Sequence, residues 1–227
     1  ANIHGIRPGN DILMVGSGNV GVIVSYQMMQ AGSRVAAVID AAPKIGGYAV
    51  HAAKIARVGV PFMMSHTIKE AHGKDRIEGA TVIRVDDSWQ PIPGTEKSFD
   101  VDTICIAVGL NPMTQLLRMA GCKTAFVPAL GGRLPAHDEN QETSVKGIYV
   151  AGDVSGIEEA STAVIEGRIA GLAIAHSLGY LDEPSFLEQR AQQYTSMKGL
   201  RSGSHGERRG KAKEYLNAVM KGTMNAL

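Results

Sequence analysis

Gly16, Gly18 and Gly21 stand in "ILMVGSGNVGVIVSYQMMQ", where an apolar, strand-like run gives way to a helix-like one. Glycines spaced G-x-G-x-x-G between a strand and a helix each have a task. Gly16 lets the chain turn tightly off the strand, Gly18 lets the backbone approach a pyrophosphate, and Gly21 lets the helix pack closely on the strand. The phosphate then meets the helix start at Asn19 and Val20, where free N–H groups and the helix dipole favour an anion. No Gly-Lys-Ser/Thr follows, so this is not a P-loop. A second strand, "RVAAVID", ends in Asp40, near the roughly 20-residue offset at which an acid hydrogen-bonds an adenosine ribose. The bland alternative is a glycine-rich turn with a solvated aspartate, and it does not require all these features in register. The spacing therefore points to a dinucleotide site. A carboxylate at Asp40 repels the 2′-phosphate of NADP, and "AAPK" after it holds no arginine, so NAD is favoured. Arg34 and Lys44 leave NADP as the alternative.

Other reactive side chains form no comparable pattern. His4, His51, His66, His72, His137, His176 and His205 are scattered, with no pair at metal-ligand spacing beside an acid or cysteine, so no metal site is expected. Met28, Met29, Met63 and Met64 read as core filling. Cys105 and Cys122 lack C-x-x-C spacing, and Cys105 lies in an apolar strand pattern that suits a buried, reduced thiol. A reducing, cytoplasmic compartment follows as the expectation. No side chain stands out as a general acid or base.

The elements that must position the glycine loop can be read from periodicity. Strands are expected at about 11–16, 34–39 and 60–64, with a strand-rich stretch across 66–101 whose "DDSWQPIPGTEKSF" is a hairpin loop. Helices fit 19–31 and 46–58. "DTICIAVG" (102–109) is apolar throughout, as in a central parallel strand buried on both faces, and a short helix, "PMTQLLRMAG", follows. "GIYVAGD" (147–153) reads as another buried strand and 157–179 as a long helix. From about residue 182 two polar helices are expected, the basic stretch "KGLRSGSHGERRGKAK" reading as a solvated helix surface. A hydrophobic content of 44%, a charged content of 20% and a net charge of +1 fit a globular chain with no electrostatic cause for nucleic-acid or membrane binding. No apolar run reaches the roughly 18 residues of a membrane span, and no signal peptide is visible at the N-terminus.

Two later stretches, "DTICIAVGLNP" and "TSVKGIYVAGDVSGIEEASTAVIEGRIAG", change the question. Together with the glycine loop they resemble flavoproteins with two dinucleotide-binding domains, the pyridine nucleotide-disulfide oxidoreductase superfamily. The likeness is greatest to the branch that holds hydrogen cyanide synthase, the subunits of amine and opine oxidases, and the alpha chain of sarcosine oxidase. That branch shares stretches like "AAPK" and "ALGGRLP". The resemblance implies that Gly152 and Asp153 lie where a ribityl hydroxyl of FAD is held. It also implies that the helix start, from about Gly156 to Ser161, offers N–H groups to the flavin's pyrimidine edge, where negative charge accumulates on reduction. Gly109 would lie at the seam between the two domains. Without the resemblance, Asp153 reads equally as an acid near a helix start with no ligand.

The implied fold is α/β: a Rossmann-like, three-layer NAD(P)-binding domain over 1–102, the C-terminal half of an FAD-binding domain over 103–181, and a helical tail over 182–227. In that superfamily the FAD domain is split around the NAD domain and carries its own G-x-G-x-x-G upstream. This sequence holds only the second such motif. The chain is therefore expected to be part of a longer flavoprotein or a subunit whose partner supplies the N-terminal FAD-binding segment, with FAD bound in the intact assembly. The expected reaction is hydride transfer between nicotinamide and flavin in an FAD-dependent pyridine nucleotide oxidoreductase acting on a small-molecule substrate. A homo-oligomer is compatible with it. The redox C-x-x-C of thioredoxin reductases is absent. The alternative is a non-catalytic nucleotide-binding accessory module of an amine- or opine-oxidase-type complex.

Overall fold

The run "DILMV" forms β1 (Asp11–Val15), whose three central residues are buried, as an interior strand of a covered parallel sheet requires. β1 pairs in parallel with β2 (Arg34–Asp40) on one side and β7 (Thr103–Ile106) on the other, and β3 (Phe62–Met64) completes the order β3-β2-β1-β7. The computed structural model describes residues 1 and 3–223, the side chains of 204 and 205 excepted, so the expectation for His205 lies outside the described residues.

Two helices, α1 (Asn19–Gln30) and α2 (Ala49–Arg57), cover one face of this sheet. Met14, Val22, Val38 and Ile55 form the core between them. An antiparallel sheet of β4 (His66–His72), β5 (Gly79–Arg84) and β6 (Lys97–Phe99) contributes Ala80 and Val82 to a second core with Leu13, Ala37 and Ile39. The result is three layers: helices, parallel sheet, antiparallel sheet. These elements belong to a compact unit spanning residues 1–109.

The compact unit runs past the expected boundary at 102/103. β7 begins at Thr103 and pairs with β1 from Ile12 to Val15, so the unit extends to Gly109. β7 is also an edge strand, half-buried with Ile106 72% exposed, rather than a central strand covered on both faces. Its apolar run matched a buried strand in composition, and composition does not reveal how many neighbours a strand has.

The second unit runs from residue 110 onwards. A short helix α3 (Gln115–Met119) precedes the hairpin of β8 (Thr124–Val127) and β9 (Gly132–Pro135). Three longer helices follow: α4 (Ala160–Ser177), α5 (Glu183–Leu200) and α6 (Ser204–Met220). The Asp182 side chain accepts from the Ser185 N–H at 2.8 Å and Pro184 occupies the first turn, which together fix the start of α5. Leu216 and Val219 of α6 pack with Ala125, Leu130 and Leu134, and Met197 of α5 packs with Ile165 and Ile169 of α4. The tail thus packs within the second unit, with Lys213 of its basic stretch buried and Lys198, Arg208 and Lys211 exposed. Residues 147–153 do not form the expected strand. They make only an isolated bridge, Glu142 to Tyr149, before a 3-10 turn at Gly152–Ser155, because no described strand lies alongside to extend the pairing.

His137, 2% exposed, shows what this packing does to an ionisable group. Burial, reinforced by the charge of Lys213, pushes it down from 6.5 to about 4. The unfolded chain therefore binds a proton at His137 at higher pH than the folded chain does. The stability contributed is complete above about pH 6.5 and is lost as pH falls towards about 4. The full loss amounts to roughly 3 kcal/mol. Urea unfolding between pH 7.5 and 4.5 should show this decline, and His137→Leu should flatten the part of it that lies between these values. Parallel wild-type and variant profiles would contradict the assignment.

Candidate functional site

At the end of β1 the chain turns through Gly16, whose φ of 109° belongs to glycine. A Cβ on Gly16 would lie 2.2 Å from the Ala107 carbonyl oxygen, and one on Gly21 would lie 2.0 Å from the Gly16 carbonyl oxygen. A Cβ on Gly18 would meet nothing within 4 Å. Two glycines thus permit backbone-to-backbone contact, and the third faces open space. Gly18 is also the N-cap of α1 and no side chain caps the helix, so the first N–H groups, from Asn19 and Val20, are left to an outside acceptor. Val20 is half exposed there.

Asp40, at the end of β2, grips this loop. Its Oδ2 accepts from the Ser17 N–H at 2.7 Å and the Ser17 hydroxyl at 2.6 Å, and its Oδ1 accepts from the Ala42 N–H at 2.9 Å. Each carboxylate oxygen has about two acceptor positions, so Oδ2 is filled within the protein and Oδ1 keeps one. The segment after Asp40 folds back over the loop: the Gly46 N–H donates to Ser17 Oγ at 3.1 Å, and the Tyr48 N–H donates to Asn19 Oδ1 at 2.8 Å. Gly16, Gly18, Asn19, Val20, Gly21 and Asp40 are therefore gathered at one place, and exposed Gly109 closes the same unit farther along the chain.

In the second unit, Gly152 and Asp153 begin the 3-10 turn, and exposed Ser161 lies in the first turn of α4. The Asp153 carboxylate is exposed. The helix starts later than expected. The Gly156 N–H is bonded to the Asp153 carbonyl and the Ile157 N–H to the Leu130 carbonyl, so N–H groups for an outside acceptor begin at Ala160 and Ser161, after the N-cap Glu159.

Sequence reasoning missed the group that holds this turn in place. Glu166, on the apolar face of α4, receives the Gly152 N–H at 2.9 Å through Oε2, and Ser155 Oγ lies 2.8 Å from the same oxygen. Its Oε1 is 2.8 Å from Lys213 Nζ and 3.1 Å from an Arg201 guanidinium nitrogen. Arg201 also grips Glu158 through two hydrogen bonds, at 2.7 and 3.0 Å. Lys213 Nζ donates to the Ser155 carbonyl and lies 2.9 Å from Ser155 Oγ, so all three ammonium protons have acceptors. Burial opposes ionisation of Glu166, but the charge of Lys213 and the donated hydrogen bonds outweigh it and hold the carboxyl below its ordinary value. Burial also draws Lys213 below the ordinary lysine range. The signal in the sequence was Glu166 itself, a charge among Ile165, Ile169 and Ala170 at helical spacing, which demands cationic partners.

Cys105 and Cys122 are both free, and burial pushes the Cys105 thiol up. Among the described residues no three His, Cys, Asp or Glu side chains gather closely enough to hold a metal ion, and no helix is long and apolar enough to cross a membrane.

The fold agrees with comparisons to known proteins. The chain is 26% identical over 82% of its length to the hydrogen cyanide synthase subunit HcnB of Pseudomonas protegens, of which it covers 43%. It is 27% identical over 78% of its length to an opine oxidase subunit of Rhizobium meliloti, of which it covers 41%. The crystal structure of thioredoxin reductase from T. acidophilum superposes with a TM-score of 0.63 at 26% identity, covering 74% of this chain and 52% of that one. The chain thus spans about half the length of these relatives or less. The profile of the pyridine nucleotide-disulphide oxidoreductases matches residues 3–167, and the chain belongs to that family of FAD-dependent oxidoreductases.

Proposed function

We propose that the first unit binds NAD at the glycine loop and that the second unit carries one part of an FAD site, the two serving hydride exchange between nicotinamide and flavin in a larger cytoplasmic assembly. The observation that carries this reading is the contrast among the three glycines. Gly16 and Gly21 are needed by the protein's own backbone, whereas Gly18 faces open space at the helix start, where a pyrophosphate fits. The uncapped start of α1 supplies donors for a pyrophosphate, and the remaining acceptor position of Asp40 Oδ1 suits a ribose hydroxyl. Bound together, the two cofactors would supply the redox chemistry, and the chain's part is to hold and orient them. Asp153, exposed on a turn braced by Glu166, suits a ribityl hydroxyl, and the Ala160 and Ser161 N–H groups suit the flavin edge. Glu158 and Glu159 stand near the same helix start, and pairing with Arg201 and Arg209 offsets their repulsion of an anion.

The larger assembly is supported by two observations. The relatives named as subunits are about twice as long as this chain. In addition, Met113, Leu116 and Met119 leave α3 and its approach with an apolar face exposed by 79–82%, which suits a covering partner or chain segment. That segment would also supply the FAD pyrophosphate cradle, and a small molecule oxidised near the flavin would be the substrate. The same subunit names favour a second reading, in which the first unit binds its nucleotide for assembly and carries no hydride. NADH-dependent bleaching of the flavin absorbance in the assembled protein separates the two readings.

The glycine contrast gives the decisive test. Gly18→Val should abolish NADH binding in a titration while costing the fold only about 1 kcal/mol, the scale of a lost helix cap. Gly21→Ala should instead lower stability by roughly 1–3 kcal/mol, since its methyl is driven into a carbonyl. Equal NADH affinity in Gly18→Val and wild type would overturn the site.

Cofactor choice follows from Asp40. Wild type should bind NADH at least about tenfold more tightly than NADPH, the scale of one charge-assisted hydrogen bond. Asp40→Ser combined with Ala41→Arg should narrow or reverse that preference. A wild type preferring NADPH would refute the assignment.

Flavin retention tests the second unit. With the upstream segment or partner supplied, the protein should be yellow, and Asp153→Ala should lower flavin affinity about tenfold, measured by visible absorbance after gel filtration. Stoichiometric FAD on the 227-residue chain alone would show that the chain needs no outside cradle.

A further inference from the structure

The Gly152–Ser155 turn is held at both ends by buried charges, one of them carried by helix α6. At its start Glu166 Oε2 accepts the Gly152 N–H at 2.9 Å. At its end Lys213 Nζ donates to the Ser155 carbonyl at 2.9 Å and to Glu166 Oε1 at 2.8 Å. Asp153 lies between these two ends with its side chain exposed. The lysine can reach the turn because residue 156 is a glycine. A Cβ there would lie 3.1 Å from Lys213 Cε and 3.1 Å from Leu130 Cδ1.

The same network holds the start of α4. Arg201 donates twice to Glu158, the residue before the N-cap Glu159, and reaches Glu166 Oε1 at 3.1 Å. The side chains of Glu158, Glu166 and Lys213 are only 3–5% exposed, so they act on the turn and the helix start rather than on a ligand. An apolar pair would dock α6 with similar stability, but only polar groups can bond the N–H and C=O of the turn itself. A side chain that must meet one ligand atom has to be held to within roughly 0.5 Å, and a single 3-10 turn is too short to hold itself so closely. Both cations lie beyond residue 167, where the match to the family profile ends.

We infer that Glu166, Lys213 and Arg201 are positioning residues for the flavin contacts of the second unit, so that α6 and the end of α5 belong to the FAD site without touching the cofactor. The inference rests on the reading that Asp153 and the start of α4 hold flavin. The network also lines one side of a cavity of about 390 Å³ between the 137–141 segment and helices α5 and α6. A polar space of that size admits water, which can hydrate the network in a variant that lacks one charge.

The double variant Glu166→Leu/Lys213→Met removes one acid and one base together and leaves Arg201 paired with Glu158. It should melt close to the wild-type temperature, and circular dichroism checks its helices. In the 227-residue chain without flavin, the Gly152 amide should exchange at least about tenfold faster than in wild type, while Ile169, inside α4, keeps its rate. With the upstream segment or partner supplied, the double variant should lower FAD affinity about tenfold, measured by visible absorbance after gel filtration. Combined with Asp153→Ala, it should lower affinity by clearly less than the product of the two separate losses, because groups acting through one contact are not additive. Where the double variant melts early, Lys213→Met alone, hydrated from the cavity, should still weaken FAD at least about threefold. Unchanged Gly152 exchange in a folded double variant overturns the inference whatever the flavin result. So does unchanged FAD affinity in either folded variant, or a full product of losses in the triple variant. If Asp153→Ala itself leaves FAD affinity unchanged, the reading of Asp153 fails and this inference falls with it.

Discussion

At the glycine loop two carbonyl oxygens stand where side-chain carbons would be. The Gly16 oxygen takes the place of a Cβ on Gly21, and the Ala107 oxygen takes the place of a Cβ on Gly16. Each contact falls more than an ångström inside ordinary van der Waals separation for a methyl, so any other residue forces backbone apart. That exclusion sets how closely α1 sits on β1 and how the chain leaving β7 passes beside them. Asp40 then ties the loop to the end of β2 through Ser17. The helix start therefore emerges from the sheet at a fixed place with its first N–H groups uncapped. Backbone rather than side-chain chemistry defines what can bind there, which suits a phosphate group common to all nucleotides.

The second unit rests on a constraint of another kind. Glu166 is buried on the helix face that also carries Ile165 and Ile169, and its charge is tolerable only because Lys213 and Arg201 reach it from α6 and the end of α5. Such a pair adds little net stability over an apolar substitute, yet removing one partner is costly because the other is left uncompensated. Its effect is on specificity. The same carboxylate holds the Gly152 N–H, so the helical tail and the turn bearing Asp153 share one set of hydrogen bonds. α6 cannot dock elsewhere without taking Lys213 from Glu166, and the turn cannot shift without breaking the network.

The two constraints were unequally legible in the sequence. Gly16, Gly18, Gly21 and Asp40 act within one strand–loop–helix–strand passage, so spacing alone conveyed their geometry, and the structure gathers them as that spacing implies. β7 shows where such reading fails. "TICI" has the composition of a doubly covered strand, but its position at the sheet edge depends on which strands exist beside it. Residues 147–153 failed for the same reason, since an apolar run becomes a strand only where a neighbour accepts its hydrogen bonds. Within the basic tail, counting charge along the chain could not reveal that Lys213 pairs with an acid 47 residues earlier. Helical periodicity around Glu166 held the clue that some cation had to arrive, without saying which.

Contacts local and distant in sequence therefore build different parts of this chain. The glycine loop uses groups every residue possesses, and its specificity comes from where glycines remove obstruction. The cavity beside α5 and α6 is built the opposite way. His137 and Gln141 come from the segment after β9, Tyr194 from α5 and Asn217 from α6, and none lies within helical reach of the other segments in sequence. Its wall is assembled because Lys213 and Leu216 hold α6 on the unit, with Asn217 one residue beyond Leu216. The buried charge network that braces the Asp153 turn thus also sets the cavity's shape. A change in one is transmitted to the other through α6, by packing and hydrogen bonds already present.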